Sequence, residues 1–109
     1  MRVISKRRLR EFWEKHPNAE EPLQAWWRIV TDRDTQWHHI HDVKAMLTGV
    51  DGFNLDCGIP VVVFNIGGNK YRLVARVLYN FQRVYVKAVL THAQYETAKW
   101  KEQICLGLI

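Results

Sequence analysis

Several features common in small proteins are scarce or missing from this sequence. It has only two cysteines, Cys57 and Cys105, in 109 residues, and no CxxC pair. This pattern favours two free, idle thiols, without a disulfide bond, in a cytoplasmic protein. No run of about 20 apolar residues occurs, so we expect no membrane span. The basic start of the chain is not followed by the apolar stretch of a signal peptide.

Motifs of common nucleotide-binding enzymes and hydrolases are also absent. Gly67-Gly68 does not form a P-loop, because the lysine that follows lies inside a predicted strand. There is no GxSxG motif, and no pair of carboxylates occurs in the basic region. His38, His39 and His41 are close in sequence, but no cysteine or well-aimed carboxylate completes a tetrahedral set. We therefore predict no metal site and no cofactor.

The absence of acidic residues from one long segment is the most informative. Residues 57–95 contain no Asp or Glu but hold five of the 16 Lys and Arg, and the other 11 equal the 11 acids in number. The net charge of +5 therefore resides in this segment. A second basic cluster precedes Glu11, the first acid of the chain. Such an excess favours a polyanionic partner, for example nucleic acid.

Apolar periodicity predicts helices in the first half of the chain. A short edge strand is expected at Val3-Ile4, and Ser5 is a plausible N-cap of the first helix. Apolar residues then recur at helical spacing in two segments: Leu9, Phe12, Trp13 and His16, then Leu23, Trp26, Trp27 and Val30. A third, shorter helix is expected at 39–47. Residues 48–58 have the composition of a loop.

From Pro60 onwards the period becomes that of strands. Three strands are predicted at 60–66, 69–79 and 82–90, joined by two-residue turns at Gly67-Gly68 and Asn80-Phe81. A last helix begins at Thr91, and Gln94 completes a capping box. This order predicts an α+β fold, with two N-terminal helices on an antiparallel meander and a short C-terminal helix. We expect one domain, 1–109.

The predicted register gathers the cations on one face of the sheet. A turn at Asn80-Phe81 sets three pairs opposite each other: Arg76 with Tyr85, Val74 with Lys87 and Arg72 with Val89. One face then carries Lys70, Arg72, Arg76, Arg83, Tyr85 and Lys87. An ordinary wet face usually mixes acids with its cations. A face without any carboxylate therefore favours an anion-binding surface over a merely solvated one.

Three blocks of the sequence resemble the HigB type of type II toxins. They are MRVISKRRLREFWEKHP, VVVFNIGGNKYRLVARV and VYVKAVLTHAQYE, and the resemblance covers residues 1–100. It implies a RelE-like fold, with helices packed against a curved antiparallel sheet. It also implies an mRNA endonuclease that acts on the translating ribosome. The expected partner is a HigA-type helix-turn-helix antitoxin, which alone contacts operator DNA.

The resemblance implies a chemistry that these residues could perform. RNA can be cut by its own 2′-OH, which requires a base, positive charge at the phosphate and an acid, but no metal. Arg72 and Arg76 would bind the phosphate, and Lys70 or Lys87 would orient the 2′-OH or act as the base. Proton transfer is assigned first to His92 and then to Tyr95, one turn further along the same helix.

Further residues are RNA-binding candidates without a catalytic role. They lie on the basic face and on the first helix: Arg83, Tyr85, Lys6, Arg7 and Arg10. Tyr85 would stack on a base or simply pack against Arg76, and the helix cations would meet RNA, an antitoxin or only solvent. Two other functions remain open. One is a non-catalytic RNA- or DNA-binding module, and the other is a RelE/ParE-fold toxin with another target such as gyrase.

Overall fold

Helices pack on both faces of a five-stranded sheet in the computed structural model, which describes all 109 residues. The sheet order is β1-β5-β4-β3-β2, and only the β1–β5 pair is parallel. The predicted α+β class and the N-terminal helices are confirmed. None of the α-helices has the length and apolar character needed to cross a bilayer. The elements are β1 (Arg2–Ile4), α1 (Lys6–Lys15), α2 (Glu20–Thr31), α3 (Ile40–Met46), β2 (Val50–Asn54), β3 (Pro60–Ile66), β4 (Tyr71–Leu78), β5 (Arg83–Thr91), α4 (His92–Glu96) and α5 (Lys99–Cys105).

The larger of two apolar cores lies between α1, α2 and one face of the sheet. The helical stripes supply Leu9, Leu23 and Val30, all fully buried, and the sheet supplies residues such as Phe64 and Leu73. A 3₁₀ turn at Pro17–Ala19 separates the two helices, as proline at a helix start allows. The predicted stripes therefore face the sheet, and this face carries no free cations.

The segment 48–58, predicted as a loop, contains a strand. Residues 50–54 form β2, which pairs antiparallel with β3 and is the outer strand of the sheet. Its composition, with one glycine, one asparagine and one aspartate in five residues, hides the strand, because those types are depleted in β-structure. The predicted loop is wrong here, and the meander has four strands instead of three.

The C-terminal region forms two helices where one was predicted. The capping box of Thr91 and Gln94 begins α4, as expected, but α4 ends at Glu96 and α5 follows. Helix α5 inserts Trp100 and Ile104 against Val63 and Val74, which builds a second core on the other face of the sheet. The basic face is therefore not an open surface, since its middle is covered by α5.

Cys57 and Cys105 form a disulfide in this structure. Their Cα atoms are 6.0 Å apart, and the bond joins the β2–β3 loop to the end of α5. The prediction of idle thiols is wrong, because the second core brings two segments 48 residues apart into contact. Sequence spacing alone does not reveal such an approach. The bond fixes the helix that covers Val74.

The β4–β5 pairing agrees with the predicted register at the turn and departs from it further along. Arg76 is opposite Tyr85, as predicted, but Val74 pairs with Ala88 and Arg72 with Leu90. The predicted Val74–Lys87 and Arg72–Val89 pairs are wrong, because a β-bulge leaves Lys87 without a partner. Ala88 consequently moves to the α5 face, and Val89 moves to the α1 face.

Both hairpin turns are longer than predicted. Ile66 pairs with Tyr71, so the first turn has four residues, and Gly67 and Gly68 adopt φ values of 62° and 71°. Glycine is suited to this left-handed region because it has no Cβ. The second turn is a 3₁₀ turn at Tyr79–Phe81 followed by a left-handed residue. Lys70 therefore lies in a turn and not in a strand.

The disulfide gives a prediction about stability. Replacing Cys57 and Cys105 together by serine should lower the free energy of unfolding by about 4 kcal/mol, from the lost restriction of the unfolded chain for a sequence separation of 48. Urea denaturation measures the change. The parent protein in dithiothreitol is the control and should match the variant. Equal unfolding midpoints for the oxidised parent and the variant would contradict this prediction.

Candidate functional site

Arg72 is the only charged side chain among the buried residues. It is 9% exposed, and its Nη1 donates to the carbonyl oxygens of Asn69 (3.1 Å) and Tyr71 (3.2 Å). These bonds hold the guanidinium plane against the turn that follows β3. No carboxylate lies within 4.0 Å of it. A buried cation without a counter-ion is costly, and a bound anion would relieve that cost.

His92 lies at the start of α4, beside Arg72. Arg72 Nη2 is 3.3 Å from His92 Nδ1. Because a guanidinium can only donate, Nδ1 accepts in this contact, which puts the proton of a neutral imidazole on Nε2. His92 Nε2 is 3.5 Å from an oxygen of Glu96, and just over half of the side chain is exposed. The imidazole is therefore accessible to solvent, with its Nε2 next to the Glu96 carboxylate.

Tyr95 packs on the other side of Arg72. The guanidinium carbon is 5.4 Å from the centre of the Tyr95 ring, and that ring stacks on Trp100 at 5.3 Å. The Trp100 indole also donates to the Tyr95 carbonyl oxygen at 3.0 Å. Burial raises the pKa of Tyr95, so that its phenol is protonated at neutral pH. Tyr95 can therefore donate a proton but is a poor base.

A second group of predicted residues lines a hollow of about 220 Å³. We call it the Arg76 hollow, and its four residues are Arg76, Leu78, Tyr85 and Lys87. The Nε atom of Arg76 is buried without a hydrogen-bond partner. Arg72 and Arg76 lie four residues apart on β4, or about 13 Å along the strand. The basic face thus consists of two groups, one on each side of Val74.

The turn residue Lys70 belongs with the first group through its backbone. Its carbonyl oxygen accepts a hydrogen bond from the backbone N–H of His92 at 3.0 Å, and its side chain is exposed. We call Arg72, His92, Tyr95 and Lys70 the Arg72 cluster. Arg83 lies elsewhere, with its guanidinium 5.9 Å from the ring of Phe81 at the second turn.

The predicted cations of α1 differ in their surroundings. Lys6 Nζ lies 4.0 Å from the centre of the Trp27 ring, and Arg7 Nε donates to Glu11 at 2.6 Å. Arg10 is exposed. None of these three residues contacts the Arg72 cluster or the Arg76 hollow.

Sequence reasoning missed several residues around the site. Glu96 follows the acid-free segment directly, and its spacing of four from His92 on a helix is a signal that could have found it. Trp100 supports Tyr95 across a break between two helices, and Asn69 acts through its backbone carbonyl. No side-chain pattern reveals the last two contacts.

Comparison with known proteins relates the chain to one family. A family model described as HigB_toxin, the RelE-like toxic component of a toxin-antitoxin system, matches residues 19–98. The chain is 31% identical over 97 residues to the "mRNA interferase toxin HigB" of Escherichia coli K12, covering 88% of each chain. It is equally similar to the "mRNA interferase HigB" of Shigella flexneri. A relative of that name from Escherichia coli O6:H1 is 26% identical over 96 residues, 88% of this chain and 89% of its own.

The pKa of Tyr95 can be tested by titration. It is raised above its ordinary value first by burial and then by the charge of Asp51. The folded state favours the neutral phenol, so this contribution to stability is present below the unfolded pKa of about 10 and is lost as the pH rises through the folded pKa. In an ultraviolet titration, Tyr95→Phe should therefore lose one phenol that ionises at a higher pH than an ordinary tyrosine.

Tyr79 offers a control for this titration, because burial raises the pKa of its phenol as well. Tyr79→Phe should also lose a late-ionising group, and the double variant should lose two. If Tyr95→Phe removes a phenol that ionises early, the description of Tyr95 as a protonated donor is wrong.

Proposed function

Because the chain belongs to the HigB family, the RelE-like toxic components of toxin-antitoxin systems, we propose that it is an endoribonuclease that cuts mRNA on the ribosome. The names of its relatives as mRNA interferases support this activity. The observation that carries the proposal is the Arg72 cluster, in which a buried guanidinium without a carboxylate partner lies beside an exposed imidazole. In such a pair the guanidinium can bind a phosphodiester, and the imidazole can transfer a proton.

Arg72 binds the scissile phosphate in this proposal. Its Nη1 is already held by two carbonyl oxygens, so the guanidinium needs no reorganisation when charge develops on the phosphorane. Partial burial strengthens its interaction with an anion, because the local dielectric is lower than in water. Arg76 binds a further phosphate from its own hollow, whose lining contains Lys87 and no acidic residue.

Proton transfer is divided between His92 and groups around it. His92 donates the Nε2 proton of its imidazolium form to the leaving 5′-oxygen, and its contact with Arg72 through Nδ1 gives way to the contact of Arg72 with the phosphate. Tyr95 supports Arg72 and acts as a second donor, since its raised pKa excludes it as the base. Lys70, whose carbonyl oxygen accepts a hydrogen bond from the His92 N–H, orients the 2′-OH and takes its proton as the amine; Lys87 is the alternative.

The reaction so described uses no metal ion or cofactor. The 2′-oxygen forms a bond to phosphorus as a lysine amine takes its proton, the bond to the 5′-oxygen breaks as His92 protonates that oxygen, and the products are a 2′,3′-cyclic phosphate and a 5′-hydroxyl. The positive charge that a metal would supply comes from Arg72 and Arg76.

The enzyme acts in the cytoplasm, where ribosomes are found. The Cys57–Cys105 bond would there face a reducing thiol pool.

The partner that neutralises this toxin is an antitoxin of the HigA type, a helix-turn-helix protein. Family membership supports an antitoxin, and the HigA type is our proposal. Operator DNA is then reached only through that partner. Residues 1–109 act as one toxin domain.

Substitution of His92 and Arg72 tests the proposal in cells. Mapping of mRNA 5′ ends after induction should show new cuts within coding regions for the parent, and a loss of about 100-fold or more for His92→Ala. Arg72→Lys keeps the charge but loses the planar guanidinium with its fixed donors, so its cutting of mRNA should fall about 100-fold. His41→Ala, which replaces an exposed histidine on α3, is the control.

These variants separate the proposal from its rivals. A parent protein that arrests growth without new mRNA ends would point to another target such as gyrase. Cutting that persists undiminished in His92→Ala would remove His92 from the reaction. Growth arrest by the parent without new mRNA ends would fit a non-catalytic nucleic-acid-binding module equally well.

The metal-free route gives a separate prediction about the substrate. Purified ribosomes carrying an mRNA with one 2′-deoxynucleotide before the scissile phosphate should not be cut there, because the nucleophile is missing. The all-ribose mRNA is the control, and its upstream product should end in a 2′,3′-cyclic phosphate. Cutting of the 2′-deoxy mRNA, or a 3′-hydroxyl on the product, would indicate attack by water instead.

A further inference from the structure

A cleft of about 330 Å³ runs between α1 and the outer edge of β5. Strand β1 pairs with β5 only at residues 83–85, so residues 87–90 have a strand neighbour on one side alone. The gap left beyond β1 forms the cleft. Helix α1 makes one wall, and Gln103 and Ile109 of the C-terminal region contribute to the other.

The cleft is lined by cations that the Arg72 cluster does not use. Arg8 and Lys15 face it from α1, both exposed and neither within 4.0 Å of a carboxylate. Lys87 faces it from the β5 edge. The single acid in the lining, Glu11, already accepts a hydrogen bond from Arg7 at 2.6 Å. The lining thus holds three cations and one acidic side chain, Glu11, which Arg7 already engages.

This cleft is continuous with the proposed catalytic face at two points. Lys87, the bulge residue, lines both the cleft and the Arg76 hollow. Gln94, which also lines the cleft, follows His92 by two residues on α4. A strand whose scissile phosphate lies at Arg72 therefore has a basic path leading away from it, past α4 and along α1.

We propose that the cleft binds the phosphate backbone of the RNA strand beyond the scissile nucleotides, through Arg8, Lys15 and Lys87. This inference rests on the proposed function, because it extends the same substrate. Neutralisation of phosphates by Lys and Arg supplies much of the affinity for a single strand, and it does not depend on base sequence. The stacked rings of Phe12 and His16, with centroids 4.4 Å apart, line the same space and offer an apolar surface to a base.

An extended acidic peptide is the competing occupant, since an open strand edge can pair with another chain. Two observations favour RNA. Lys87 lines the Arg76 hollow as well as the cleft, so the cations extend beyond the β5 edge with which a peptide would pair. Arg72 and Arg76, on that same line, both lack a carboxylate within 4.0 Å.

Binding of uncleavable RNA tests the cleft directly. Fully 2′-O-methylated RNAs, a trinucleotide and a dodecanucleotide, are titrated against the purified full chain by fluorescence anisotropy. The double variant Arg8→Ala/Lys15→Ala should bind the dodecanucleotide about tenfold more weakly, and its slope of log K against log salt should fall by about 1.4, for two phosphates at about 0.7 each. Its affinity for the trinucleotide should change less than about twofold, since that RNA fills only the catalytic face.

The matched control is Arg28→Ala/Lys44→Ala, which removes the same charge from exposed positions on α2 and α3. Arg28, like Lys15, lies in the last turn of its helix, so these two positions are matched in their effect on helix stability. The control should lose less than a third as much dodecanucleotide affinity. Circular dichroism melting should give the same midpoint for both double variants, because all four side chains are exposed.

Three results would overturn the proposal. Equal losses in the two double variants would mean that only net charge matters. Equal losses for the trinucleotide and the dodecanucleotide would place Arg8 and Lys15 at the catalytic face. Unchanged RNA binding with weakened binding of the antitoxin would assign the cleft to a peptide. Because this RNA cannot be cut, a failure of the proposed function appears separately, as absence of new mRNA 5′ ends with the parent protein.

Discussion

The pairing of β4 with β5 determines most of the functional geometry of this protein, and it is interrupted at one residue. At the bulge the strand advances by one residue without a partner, so that the side chains beyond it exchange faces. Val89 consequently joins the core beneath α1, while Ala88 and Leu90 pack beneath α5. Without the bulge, Ala88 and Leu90 would face α1, and Val89 would face α5.

Helix α5 allows a second core and a basic face to lie on the same side of the sheet in so short a chain. Helix α5 covers Val74, which lies between Arg72 and Arg76 on the same side of β4. Arg72 is thereby buried at the margin of the second core, where Tyr95 and Trp100 stack beside it. The same apolar layer that stabilises the C-terminal helix thus supports the guanidinium. The Tyr95–Trp100 pair therefore contributes both to the second core and to the contact with Arg72.

The sequence was sufficient to predict what depends on local periodicity. The stripes of α1 and α2, the capping box at Thr91 and the pairing of Arg76 with Tyr85 all follow from spacing along the chain. Contacts between distant segments could not be predicted in this way. The disulfide, the covering of Val74 by α5 and the burial of Arg72 depend on how segments meet in space. The strand β2 was missed because its composition is that of a turn.

The candidate site shows the same division. Its residue types and their shared strand were predictable from the acid-free segment, whereas the separation into the Arg72 cluster and the Arg76 hollow was not. That separation arises because α5 lies between the two groups. Helix α5 begins after residue 95, so the pattern of residues 57–95 could not predict it. The RelE-like fold itself follows from the family.

The four-residue turn after β3 has a consequence for how this lineage can change. Surface turns usually tolerate insertions and deletions. Here the Asn69 carbonyl holds the guanidinium of Arg72, and the Lys70 carbonyl holds the N–H that opens α4. One added residue would shift both acceptors at once, although it would alter no side chain of the cluster. The length of this exposed turn is therefore constrained by the cluster that it positions, even though the turn lies on the surface.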